Sequence, residues 1–177
     1  KKTFSSKIKL AQSSLLCAVV IIMSFLESFL DFATPVPGIR LGLSNVGIAF
    51  SIELLGFIPT ICIVIIKAMF AGITRGVTAG VMSFLGGILS FVAMYICIKS
   101  SYSPFGYLGV GIMGALCHNS GQFIGAFIIV GDAIIAYSPV LAISALITGC
   151  ITGISMGILN PRLLSALNKT KMQNIGA

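Results

Sequence analysis

The chain has 177 residues, of which 57% are hydrophobic and only 8% charged, with a formal net charge of +7. A water-soluble domain carries about a quarter charged residues, so this composition excludes a water-facing surface and predicts an all-α integral membrane protein. The basic excess flanks apolar runs instead of clustering on one face, which excludes nucleic acid as a partner and leaves the lipid bilayer.

A membrane-spanning helix needs about 20 mostly apolar residues. Six such runs occur in chain order, at about 10–30, 41–56, 57–73, 77–98, 107–131 and 139–159, forming a single membrane domain over 1–177. The first run is too long for a signal-peptide core and lacks a small-residue cleavage site, so it is expected to be a retained span. Small residues Ser14 and Ala18, with Ala11 a turn earlier, form a stripe on it. The second and third runs are short and joined almost directly at Gly56-Phe57-Ile58-Pro59. Proline and glycine mark the remaining joints, at 34–38, 103–106 and 138–139. A β-barrel would need alternating segments of about ten residues, and none occur.

Lys1, Lys2, Lys7 and Lys9 precede the first run, and Arg162, Lys169 and Lys171 follow the last. An even number of spans puts both basic ends on one side, expected to be the cytoplasmic face of the cell membrane. Glycines recur at helical spacing: Gly76 and Gly80, Gly121 and Gly125, then Gly149, Gly153 and Gly157. Such stripes let helix backbones approach closely in lipid. Packing within one bundle is the expectation, with contact to a partner protein as the alternative. The five cysteines lie in apolar runs with no paired spacing, so they predict neither disulfides nor a metal site.

Polar residues inside such runs mark function by default. With the topology above, Glu27, Asp31, Arg40, Ser44, Asn45, Lys67 and Arg75 fall in the extracytoplasmic half. At about 1.5 Å per residue, His118 falls near the midplane and Gln122 slightly above it, on the same helix face, with Asn119 nearby. Glu53 is the exception, in the inner half. The cluster predicts an outward-opening pocket for a small polar or anionic molecule. Its binding residues are Arg40, Asn45, Lys67, Arg75, His118, Asn119 and Gln122. The start of the second helix, after the turn-forming 35–42 segment, is expected to aim its N-terminal dipole at an anion. The alternative is a closed polar network in which Glu27 pairs with Lys67 and His118 bonds a backbone carbonyl. No catalytic motif and no nucleotide site occur, and the only aspartates, Asp31 and Asp132, lie far apart. No enzyme, metal or cofactor is therefore expected.

Several segments carry a resemblance. These are Glu27-Ser28-Phe29, PGIRLGLSN at 37–45, Lys67 to Gly72 with Arg75, SFLGGILSF at 83–91, and GALCHNSGQ at 114–122. In these the chain resembles heptaprenyl diphosphate synthase component I, also called the Gx transporter family. That family is similar to the substrate-binding S components of energy-coupling factor (ECF) transporters. The resemblance implies a compact six-helix bundle with an outward-facing pocket, a membrane coupling subunit and two cytoplasmic ATPases as partners. It also implies docking through small residues on the first span, here Ser14 and Ala18. A second implied reading is a non-catalytic accessory subunit of a polyprenyl diphosphate synthase or of a flavin-based electron-transfer system.

Overall fold

The computed structural model describes the backbone of residues 2–30, 42–100 and 106–175, and the side chains of 7–29, 42–100 and 106–159. Among these, all regular structure is helical. The helices are α1 (Lys2–Leu30), α2 (Ser44–Leu55), α3 (Phe57–Arg75), α4 (Val77–Lys99), α5 (Gly106–Val130) and α6 (Ser138–Ile175). A 3-10 segment, Gly131–Tyr137, links the last two.

The expected apolar runs coincide with these helices, but their lengths differ from the expected spans. Four stretches are long and apolar enough to cross a membrane: Lys7–Phe29, Phe57–Arg75, Val77–Lys99 and Gly106–Leu159. The last covers two helices that fold back on each other. Gly149 abuts Ile112 and Gly153 abuts Leu108, so α5 and α6 run antiparallel. Helix α2 has 12 residues, about 18 Å at 1.5 Å per residue, short of the ~30 Å hydrocarbon core.

One-residue joints separate α2 from α3 and α3 from α4. Gly56 (φ 82°) and Gly76 (φ 94°) occupy them. That region of φ is open to glycine and costly for other residues. Each joint's N–H still closes the preceding helix, Gly56 onto Ile52 O and Gly76 onto Gly72 O, both at 3.1 Å. The chain reverses within one residue without losing a hydrogen bond there.

The packing inverts that of a soluble protein. Large apolar side chains such as Ile22, Phe25, Ile73, Val77, Ile128 and Ile143 are exposed, while Lys67, Glu27, His118 and Gln122 are buried. Lipid as the outer solvent accounts for both facts, since apolar surface then costs nothing outside and polar groups need partners inside. An apolar cluster of Val20, Ile48, Ile52, Val64, Phe91, Met94 and Met156 fills the other end of the bundle. Phe57, Phe91 and Tyr95 meet there in tilted and edge-on ring contacts.

Glycines set the helix spacing. A Cβ built on Gly121 would lie 2.6 Å from both Gly86 Cα and Leu85 O, and one on Gly153 would lie 2.6 Å from Leu108 Cα. A Cβ built on Gly80 would likewise lie 2.9 Å from Gly72 Cα. Gly157, on the same expected stripe as Gly149 and Gly153, has open space instead. Backbone cannot move aside as a side chain can, so Gly121→Ala should cost about 1–3 kcal/mol of stability. Gly157→Ala should be neutral or slightly stabilising through helix propensity. Thermal unfolding of the two variants in detergent reads the contrast directly.

Candidate functional site

The antiparallel order brings the C-terminal ends of α1, α3 and α5 together with the N-terminal ends of α2, α4 and α6. Many of the buried polar residues gather toward that end, whereas Ser51, Thr60 and Thr152 are buried elsewhere along the bundle. Ser24 and Glu27 come from α1, Ser44 and Asn45 from α2, Lys67 from α3, Ser83 from α4, and His118 and Gln122 from α5, while Ser90 lies further along α4 beside Phe91 and Met94 of the apolar cluster. Arg75 closes α3 at the same end. His118 packs on the Cβ-free face of Gly86, where a built Cβ would lie 3.0 Å from both Nδ1 and Cε1. Gly42 touches Asn45 and His118, with a built Cβ 3.0 Å from Asn45 Nδ2 and 4.0 Å from His118 Cδ2. Asn45 and His118 thus flank one glycine, and Gln122 sits one turn further along α5.

The start of α2 is occupied from within the protein. Ser44 N–H donates to Glu27 Oε1 at 2.7 Å, and Ser44 Oγ donates to Glu27 Oε2 at 3.3 Å. A carboxyl at a helix N-terminus satisfies an otherwise orphaned N–H and suits the dipole. The sequence suggested that this terminus would receive a ligand anion; in the fold Glu27 holds it. Residue 27 stands 17 positions before its partner, so no local capping pattern signals the contact.

Arg75 donates from Nη1 to Ser24 O at 3.5 Å and from Nη2 to Ser24 Oγ at 3.3 Å, tying α3 to α1. Lys67 and His118 are likewise engaged with other groups of the protein. Asn119 faces a different neighbour from Gln122. Its Nδ2 donates to Leu141 O at 2.8 Å and to Ser144 Oγ at 3.0 Å, so it ties α5 to α6. Arg40 and the rest of the 31–41 segment, Asp31 included, lie outside the described residues. Ser14, Ala18 and Ala11 are exposed on the outer face of α1.

Four buried uncharged residues leave hydrogen-bonding groups unused. Both amide atoms of Asn45, both of Gln122, and the hydroxyls of Ser83 and Ser90 have no hydrogen-bond partner among the described residues. Asn45 and Gln122 are each 1% exposed. Sequence reasoning missed Ser83 and Ser90. Their seven-residue spacing, with Gly86 and Gly87 between, places them on one face of α4, and that was the available signal.

Glu53 lies at the opposite end, where the Tyr107 hydroxyl donates to its carboxyl and Lys99 is nearby. Three grooves on the outer wall, between α5 and α6, between α3 and α4, and beside α1 and α2, are apolar. None is lined by Asn45, Lys67, His118 or Gln122.

A helical bundle with an apolar exterior and a polar interior defines a multi-pass membrane protein. The model of the family described as heptaprenyl diphosphate synthase component I matches residues 16–159, and the chain belongs to that family. Comparisons with curated proteins and with solved structures give no match.

Removing the Glu27 carboxyl leaves the Ser44 N–H buried without its acceptor. Hydrogen bonds to charged groups contribute about 1.5–3 kcal/mol, so Glu27→Leu should lower stability by about that much. Glu27→Gln keeps one acceptor oxygen and should lose less. Denaturation of the two variants in matched detergent orders them.

Proposed function

We propose that this protein captures a small polar molecule at the polar end of its helical bundle. The observation that carries the reading is the pair of buried, unpartnered carboxamides, Asn45 and Gln122, beside His118. A buried polar group without a partner costs about 1–3 kcal/mol. A protein that buries two such amides has a use for them that folding does not supply. Asn45, His118 and Gln122 line the capture site, with Lys67 and Arg75 behind them setting its positive field. Arg40 belongs to the same proposed set through its place in the sequence. Asn119 serves the α5–α6 contact, and through it the position of the neighbouring His118.

In this reading six helices cross the cell membrane, and both chain ends face the cytoplasm. The polar end then opens to the extracytoplasmic side. The fold would be that of an ECF-type substrate-binding component. The chain supplies binding and no catalysis, and transport needs a membrane coupling subunit with cytoplasmic ATPases. The exposed Ser14 and Ala18 of α1 offer the docking face.

The family description favours a second reading. It names a component of heptaprenyl diphosphate synthase, and on that basis the chain is a non-catalytic membrane partner of a separate synthase subunit. A link to flavin-based electron transfer belongs to the same accessory class. The two readings differ over what the interior amides do.

Gln122→Met replaces an unpaired amide with an apolar side chain of similar volume. Capture predicts a trade: the unliganded protein gains about 1–3 kcal/mol and loses its bound molecule. Native mass spectrometry of the purified wild type and variant, with a melting curve for each, checks both halves. A destabilised variant would show that Gln122 serves the fold. A stoichiometric synthase subunit on a wild type without a bound small molecule would favour the accessory reading.

A further inference from the structure

The His118 ring is touched at two places by residues that have no side chain. A Cβ built on Gly86 of α4 would lie 3.0 Å from both Nδ1 and Cε1, and 2.8 Å from the His118 carbonyl oxygen. One built on Gly42 would lie 4.0 Å from Cδ2. Nε2 sits in the ring between Cε1 and Cδ2, so the two contacts together fix where it points. His118 is 1% exposed, and a close-packed interior leaves its ring little room to turn from either glycine. Gly42 is itself held. It is buried at φ 72°, and its carbonyl accepts the Asn45 N–H at 2.9 Å, so it moves with the start of α2. Its built Cβ would also lie 3.0 Å from Asn45 Nδ2. One glycine therefore spaces Asn45 of α2 from His118 of α5. Glu27 of α1 anchors the same turn through Ser44.

We propose that Gly86 and Gly42 are positioning residues of the capture site: Gly86 orients the His118 ring, and Gly42 sets its spacing from Asn45. The proposal rests on the capture reading for its purpose, since binding gains from groups that are already held in place. A methyl group on Gly86 displaces the ring, because 3.0 Å is well inside the ordinary carbon contact of about 3.5–4.0 Å. A methyl group on Gly42 displaces the Asn45 amide for the same reason.

The test uses the full chain in lipid nanodiscs. His118 is the only histidine, so isotopically labelled histidine gives the ring nitrogens of one residue by nuclear magnetic resonance. Gly86→Ala should move both ring resonances. Gly87→Ala is the control: its Cβ would be as crowded, 2.9 Å from Val64 Cγ1, but meets no ring atom, and it should leave them in place. Gly42→Ala should move the Asn45 side-chain amide, identified by its absence from Asn45→Ala. Gly131→Ala has the same φ of 72° with open space around it and should not. Native mass spectrometry of the same preparations reads the co-purified small molecule, which Gly86→Ala and Gly42→Ala should lose and both controls keep. Unmoved resonances in Gly86→Ala and Gly42→Ala, or equal movement in the controls, would overturn the positioning and leave capture standing. Moved resonances with the molecule still retained would overturn the link to binding. A wild type that retains no molecule would overturn the capture reading and the binding half of the proposal, while the resonances still decide the positioning. Where an alanine variant does not fold, the wild type with labelled glycine and histidine decides: glycine cross-peaks are expected at ring Cε1 and Cδ2, and their absence overturns the placement.

Discussion

The structure depends on how closely α5 approaches its two neighbours. On one side Gly121 meets the backbone of α4 at Gly86 and Leu85; on the other, Gly149 and Gly153 of α6 meet the α5 backbone at Ile112 and Leu108. In lipid no hydrophobic force pulls helices together, so contact has to come from surfaces that fit. Glycine faces supply that fit. They also fix the rotation of α5 about its axis. With Gly121 against α4, His118 and Gln122 have one direction in which to point, and it is inward.

That rotation explains why neighbouring residues part company. Asn119 follows His118 in the chain, yet a step of about 100° carries it round to α6. There it bonds Leu141 and Ser144 and staples the second glycine contact. His118 remains on the α4 side against Gly86. Three polar residues within five positions are therefore split by the helix, Asn119 as a tie to α6 and His118 and Gln122 on another face.

Charge in the interior is handled economically. Glu27 and Arg75 bond to main-chain and hydroxyl groups of neighbouring helices, so each holds two elements together. Buried charge is tolerated only when it is paired or hydrogen-bonded, and these contacts meet that demand. The amides of Asn45 and Gln122 are among the groups whose bonding the described fold does not complete.

Much of the fold was legible in composition and spacing. Scarcity of charge, apolar runs of helical length and glycine at the joints determine a helical membrane protein and the order of its helices, since lipid admits few other ways to satisfy a backbone. The pairing of His118 with Gln122 follows from four-residue spacing alone. Tertiary structure decided the rest. Glu27 at the start of α2, Ser24 beneath Arg75 and Leu141 beneath Asn119 are contacts across 17, 51 and 22 residues. No local pattern encodes them, because helix rotation is set by packing against neighbours and not by the helix's own sequence. The sequence by itself determined that polar residues would be buried; only the packed bundle decided which of them are bonded within it and which are left to meet something else.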